Sequence, residues 1–281
     1  MSTLSTWAGE FTVSSNISYG TAAGQSLLLD VAVPKDGSKT PRPAVILVHG
    51  GGWVEGDKNA VRWLLEGIAR EGYVSFAVNY RLMKDAQNRW PAQLDDVQRA
   101  VRWIRAHSAE YGVDPKKIGA YGHSAGGHLV ALLATMDTRD NTDQELAAHS
   151  SRVQCVVDMS GPAELRRGFP KTLGGRDNGW VQFLIENLMG GTIEQRPEAY
   201  REASPISHVD SNSAPFLIFH GRNDTVVPVQ QSEWLHEAIQ KSGGVSTLIV
   251  FDGEGHEFQQ QANQDRFVNE FRSFLQKHLR Q

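Results

Sequence analysis

A serine hydroxyl does nucleophilic chemistry when an imidazole takes its proton and a carboxylate holds the other ring nitrogen. The chain offers those three groups in the order Ser124, Asp224, His256. Ser124 lies in Gly122-His123-Ser124-Ala125-Gly126, between an apolar run and a new helical pattern. In a turn that sharp, side chains two positions either side of the serine would collide with it, and both positions are glycine. The pattern alone is weak evidence, because a chain with 27 glycines supplies about 0.2 of it by chance. Its surroundings have to decide.

The elements around these residues follow from hydrophobic periodicity. Residues 11–33 alternate apolar and polar and read as two strands, an antiparallel pair at a sheet edge. Ala44–Val48, Tyr73–Val78, Ile118–Tyr121, Val153–Met159, Pro215–Phe219 and Thr247–Phe251 are short apolar runs of buried strands. Helices fall between them. One is capped by Asp57 or Asn59 and ended by Gly72, with Val61, Leu64, Leu65 and Ile68 inward; one is opened by Pro91, with Leu94, Val97, Val101 and Ile104 inward. Others follow Ser124, carry Trp234 to Ile239, and place Phe267, Phe271, Phe274 and Leu275 inward. Strands alternating with helices imply a mostly parallel sheet covered on both faces. The rhythm breaks at 161–214, where no core strand appears. Two helices are expected there, one around Trp180, Phe183, Leu184 and Leu188 and one capped by Thr192 with Gln195. The chain therefore reads as a single domain over 1–281 with 161–214 as a small inserted cap.

On this reading Ser124, the loop His220–Pro228 and the loop Gly253–Phe258 each follow a parallel strand, on the edge where open α/β sheets bind ligands. Each residue alone has a plainer reading: a helix-initiating serine, a turn aspartate, a solvated histidine. Three such residues after three separate strands favour the catalytic one. His49-Gly50-Gly51-Gly52-Trp53 follows another buried strand, and its side-chain-free amides suit an oxyanion, with the Ala125 amide across the site. A flexible loop explains the glycines but not their position. Asp252, Glu254 and Asp158 are alternative acids, the first two very close in sequence to His256. Arg81 suits a substrate carboxylate less well than an ion pair with Asp95 or Asp96.

Composition removes other classes. The chain has 281 residues, 40% hydrophobic and 21% charged, with a net charge of −4 and scattered basic residues, so nucleic acid is not an expected partner. No apolar run reaches membrane-spanning length, and Met1–Glu10 lacks the features of a secretory signal. The single cysteine, Cys155, sits in an apolar run and reads as a buried thiol. A cytoplasmic protein, monomer or homodimer, is expected. His123 and His128 lack metal-ligand spacing, and neither H-E-x-x-H, Walker A nor a dinucleotide fingerprint occurs. Neither a metal nor a cofactor is implied.

From His49–Trp53, Asn79-Tyr80-Arg81-Leu82, Gly122–Gly127, the Asp224 loop and His256, nearly the whole chain resembles the α/β-hydrolase superfamily, and within it the esterases with an HGGG-type loop. It departs from the hormone-sensitive-lipase branch in having His123 before the serine and a short N-terminal segment. With Trp53 ending the oxyanion loop, it is more similar to acetyl xylan and feruloyl esterases and to kynurenine formamidases. The resemblance implies a serine carboxylesterase acting on a small-molecule ester, with Gly51 and Gly52 as oxyanion donors beside Ala125. The Trp53 amide is an alternative donor. Trp53, His123, Trp180 and Phe183 are expected to touch substrate. An amidase, formamidase or peptidase with the same triad is the nearest rival, and a non-catalytic hydrolase-fold receptor is the rival from another class.

Overall fold

The computed structural model describes residues 9–173 and 175–280. Most of Met1–Glu10, on which the reading of the N-terminus rested, lies outside them, as does residue 174 of the 161–214 segment.

Strands β1 (Phe11–Ala22) and β2 (Gln25–Pro34) form the antiparallel edge pair. Then follow β3 (Arg42–Val48), α1 (Arg62–Arg70), β4 (Val74–Val78), α2 (Ala92–Ala106), α3 (Ser108–Tyr111), β5 (Val113–His123) and α4 (Ala125–Thr135). After β6 (Cys155–Met159) come β7 (Thr172–Leu173), β8 (Arg176–Asp177), α5 (Gly179–Met189) and α6 (Pro197–Glu202). The chain ends with β9 (Phe216–Gly221), α7 (Gln230–Lys241), β10 (Ser246–Phe251) and α8 (Gln261–Leu279). The main sheet has the order β1-β2-β4-β3-β5-β6-β9-β10. From β4 to β10 every neighbouring pair is parallel.

Alternation along the strands builds two cores. On β3, Ala44, Ile46 and Val48 face the layer of α2, α4 and α7, while Val45 and Leu47 face α1 and α8. A strand buried on both sides is mostly apolar, and all five residues of β4 are buried, its one polar side chain, Ser75, donating to the Leu65 carbonyl at 2.7 Å. Each buried Val, Leu, Ile or Phe side chain contributes about 1.5–3 kcal/mol. Cys155 belongs to the second core, and burial pushes its thiol up to about 12.

Two local expectations change. Thr192 and Gln195 close a turn, with the Thr192 amide donating to Gln195 Oε1 at 3.0 Å, but α6 starts only at Pro197. Proline fixes the first helical φ and needs no donor there, so it outcompetes the polar cap upstream. The 161–214 segment also holds the two-residue hairpin β7–β8, too short for a periodic signal. Its inner residues Ala163, Leu165, Leu188, Met189, Tyr200 and Ala203 join the larger core.

Candidate active site

The carboxyl ends of β3, β5, β9 and β10 bring together four loops. Ser124 sits between β5 and α4 at φ 56°, ψ −119°, in a region that L-residues with a Cβ rarely occupy. A Cβ at Gly122 would lie 2.1 Å from the Gly126 carbonyl oxygen, and one at Gly126 would lie 2.1 Å from that of Val48. Both glycines are therefore required by close backbone approach, and the Ser124 amide is anchored to the Met159 carbonyl at 2.8 Å.

His256 Nδ1 donates to Asp224 Oδ2 at 2.6 Å. The other carboxylate oxygen accepts the Val226 and Val227 amides at 2.7 and 2.9 Å. Burial works against the Asp224 charge, but hydrogen bonds from His220 and His256 hold the carboxyl well below the usual carboxylate range. The alternative acids are engaged elsewhere. Asp252 pairs with Arg222 at the surface, and Glu254 accepts the Gln259 and Gln260 amides and the Asn263 amide. Asp158 accepts the Gly161 amide and is fully buried, which pushes its carboxyl up to about 7.

The Gly51 and Gly52 amides, and the Ala125 amide at the start of α4, donate to no protein acceptor among the described residues. Beneath this loop the His49 ring stacks on Tyr80 at 4.4 Å, and the Tyr80 hydroxyl donates to the His49 carbonyl at 3.1 Å. Trp53 is buried at φ 64°, and its indole N–H donates to His128 Nδ1 at 3.2 Å. The opposite nitrogen of His128 donates to the Ala203 carbonyl at 2.6 Å, so one buried imidazole ties the glycine loop to the 161–214 segment. Burial lowers His128 to about 4, which keeps Nδ1 an acceptor.

Ser124, His256, Gly51, Gly52, Ala125, Trp53, His123 and Trp180 all line one cavity of about 570 Å³. Ser124 and His256 form no direct hydrogen bond here, and such contacts often tighten only with substrate. Phe183 is 64% exposed and lines a neighbouring groove instead of this cavity. His123 donates from Nε2 to the His256 carbonyl at 3.1 Å, which supports the histidine loop. Arg81 clamps Asp96 through both carboxylate oxygens, an ion pair of the frame. Among the described residues no cluster of three metal-ligating side chains occurs, and no helix is long and apolar enough to cross a membrane.

Two residues of this constellation were not singled out from sequence. His220 is the last residue but one of β9, and the sequence placed it only as the first residue of the His220–Pro228 loop; its signal was the spacing His220-Gly221-x-x-Asp224. His128 was weighed only as a metal ligand, and its position one helical turn after Ser124 was the available clue.

Esterase LipC of Mycobacterium tuberculosis is 34% identical, over 85% of this chain and 58% of its own length. The probable carboxylic ester hydrolase LipM of the same organism is 33% identical, over 77% of this chain and 49% of its own. The chain thus spans about half the length of the curated relatives it matches. Esterase Est2 of the planctomycete Thermogutta terrifontis superimposes with a TM-score of 0.78 at 27% identity, covering 96% of this chain and 92% of that one. Est2 has also been described with propionate or butyrate bound and phosphorylated by paraoxon. The BD-FAE family model matches residues 29–239, from β2 through the serine turn and the Asp224 loop into α7. His256, β1 and β10 lie beyond that stretch, but the parallel strands from β3 to β9, the strained turn and the glycine loop lie within it, and the chain belongs to the BD-FAE family of the α/β-hydrolase fold.

Proposed function

We propose that the chain is a serine carboxylesterase for short-chain or aryl esters, acetyl and feruloyl esters of carbohydrates among them. Ser124 Oγ attacks the ester carbonyl while His256 takes its proton, and Asp224 stabilises the imidazolium that forms. The Gly51, Gly52 and Ala125 amides receive the oxyanion. His256 then returns the proton to the alkoxide as the C–O bond breaks. Water repeats the sequence on the acyl-enzyme, now with the carboxylic acid leaving.

The observation that carries this reading is the convergence, in one cavity, of a strained serine, an Asp224-bound imidazole and three uncommitted amides. The cavity walls Trp180, Val181, Leu184 and Val226 are apolar, as an acyl group requires. Est2 has been described with propionate and with butyrate bound, the carboxylates that short acyl esters release.

Hydrolysis of p-nitrophenyl acetate, combined with intact mass after paraoxon treatment, tests the reading. One diethylphosphoryl adduct that disappears in Ser124→Ala is expected. Turnover without an adduct on Ser124 would refute the nucleophile.

A further inference from the structure

A second cavity, of about 730 Å³, opens beside the first and shares Gly50, Ala60, His123 and Glu257 with it. Its volume is in the range of small-molecule sites, ~300–1,000 Å³. Its floor is apolar, made by Tyr121, Phe258 and Phe267, all buried in the core between the sheet, α1 and α8. One wall is a single face of α8, with Gln261, Gln264, Asp265, Val268 and Asn269 at helical spacing. The opposite wall carries Trp63, 43% exposed on the side of α1 away from Leu64, Leu65 and Ile68.

The chemistry of the site determines which half of an ester can enter. His256 must reach the leaving oxygen to protonate it, so the alcohol half leaves on the histidine flank. This cavity is on that flank: Glu257 and Phe258 follow His256 directly, and His123 holds the His256 carbonyl. The acyl half is served by the apolar chamber under α5.

Resting on the esterase reading, we propose that the cavity between α1 and α8 receives the alcohol half of the ester, an uncharged ring-bearing alcohol with hydroxyl groups. The ring lies against Trp63, since an exposed indole face offers a flat apolar platform. The hydroxyls meet the side-chain amides of α8. One N–H of Gln264 is held by the Phe258 carbonyl at 2.8 Å and one N–H of Gln261 by Asp265 at 2.8 Å, which orients both amides and leaves each a second N–H and its oxygen for hydroxyl groups. Anionic alcohols are disfavoured, because Glu257 and Asp265 line the walls while the Arg272 guanidinium is paired with Glu71.

The reaction supplies a clean test. Acetates of different alcohols form one acetyl-enzyme: the Ser124 Oγ–C bond forms, the C–O bond to the alcohol breaks, and the alcohol departs with the serine proton. An alcohol subsite therefore changes acylation alone. We would compare ethyl acetate, cyclohexyl acetate and a methyl glucoside monoacetate on wild type, Trp63→Ala and Ala60→Trp. Ala60 is exposed and lies where the cavities meet, so the larger side chain narrows the passage without entering the core.

The expected result is that kcat/KM for the glucoside acetate relative to ethyl acetate falls at least tenfold in both variants. The rate of acetyl-enzyme hydrolysis stays the same for all three esters. A smaller fall for cyclohexyl acetate than for the glucoside acetate in Trp63→Ala is expected, since hydroxyl contacts then also lose their alignment. Equal losses for every alcohol, an unchanged ratio, or a changed preference for acyl length at a fixed alcohol would each overturn the subsite. If wild type hydrolyses none of these acetates and takes no paraoxon adduct, the esterase reading itself falls.

Discussion

Nε2 of His220 lies 3.2 Å from Asp224 Oδ2, the same oxygen that His256 Nδ1 reaches at 2.6 Å. One carboxylate oxygen is thus shared by two imidazoles. His220 is wholly buried; the same Nε2 donates to the Val227 carbonyl at 2.9 Å, and Nδ1 meets the Ser232 hydroxyl at 2.6 Å. With two backbone amides on Oδ1, Asp224 has donors on every side and cannot swing away from His256.

Replacing His220 by phenylalanine keeps the ring and removes the donor. Losing a hydrogen bond to a buried charge costs about 1.5–3 kcal/mol. Steady-state kinetics on p-nitrophenyl acetate should show kcat/KM reduced roughly ten- to hundredfold. His220→Gln, which retains an N–H, should recover part of it. Equal activity in all three enzymes would mean that His220 only fills space.

For Ser124→Ala, kcat on p-nitrophenyl acetate should fall by roughly four orders of magnitude or more, as triad removals do elsewhere. Asp224→Asn should cost about 10⁴-fold in kcat, because the amide favours the wrong imidazole tautomer. Measured on correctly folded protein, a loss below tenfold for either would contradict the roles assigned here.

The buried Trp53 indole should act on the oxyanion loop. Trp53→Phe removes the N–H that His128 Nδ1 accepts and frees a loop whose residue 53 sits at φ 64°. An oxyanion donor matters mainly in the transition state, so kcat should drop about tenfold or more while KM changes little. A rise in KM at constant kcat would place Trp53 in ground-state binding instead.

How much of this was legible in the sequence depended on how local each signal was. The meeting of Ser124, Asp224 and His256 at one sheet edge was readable because each lies within a few residues of the carboxyl end of a strand whose apolar run is unmistakable. Gly51 and Gly52 were readable for the same reason after Val48. His220 and His128 were not, because their meaning lies in partners brought together by the sheet and by the 161–214 segment, Ser232 and Asp224 for one and Trp53 and Ala203 for the other. The same holds for the cavity between α1 and α8, whose walls are some two hundred residues apart, a distance no periodicity spans. Phe183 was expected beside substrate together with Trp180, but α5 places Trp180 in the serine cavity and Phe183 in the outer groove.

The last prediction concerns pH and stability, where two buried groups pull in opposite directions. His128 is lowered to about 4 by burial, against an unfolded value of about 6.5. As pH falls between these values the unfolded chain takes a proton that the native one refuses, and stability is lost at about 1.4 kcal/mol per pH unit. Asp158 is raised to about 7 by burial, against about 3.9 unfolded. Here the native chain holds the extra proton, so its contribution is whole below that unfolded value and is lost as pH rises toward 7. Between pH 4.5 and 6.5 the two slopes oppose each other. Asp158→Asn keeps an acceptor for the Gly161 amide and removes only the titration, so its stability relative to wild type should grow by about 2–3 kcal/mol across that window. His128→Gln should show the opposite trend, gaining on wild type as pH falls. Urea unfolding at the two pH values measures both, and curves that run parallel to wild type would show that neither group carries the proton assigned to it.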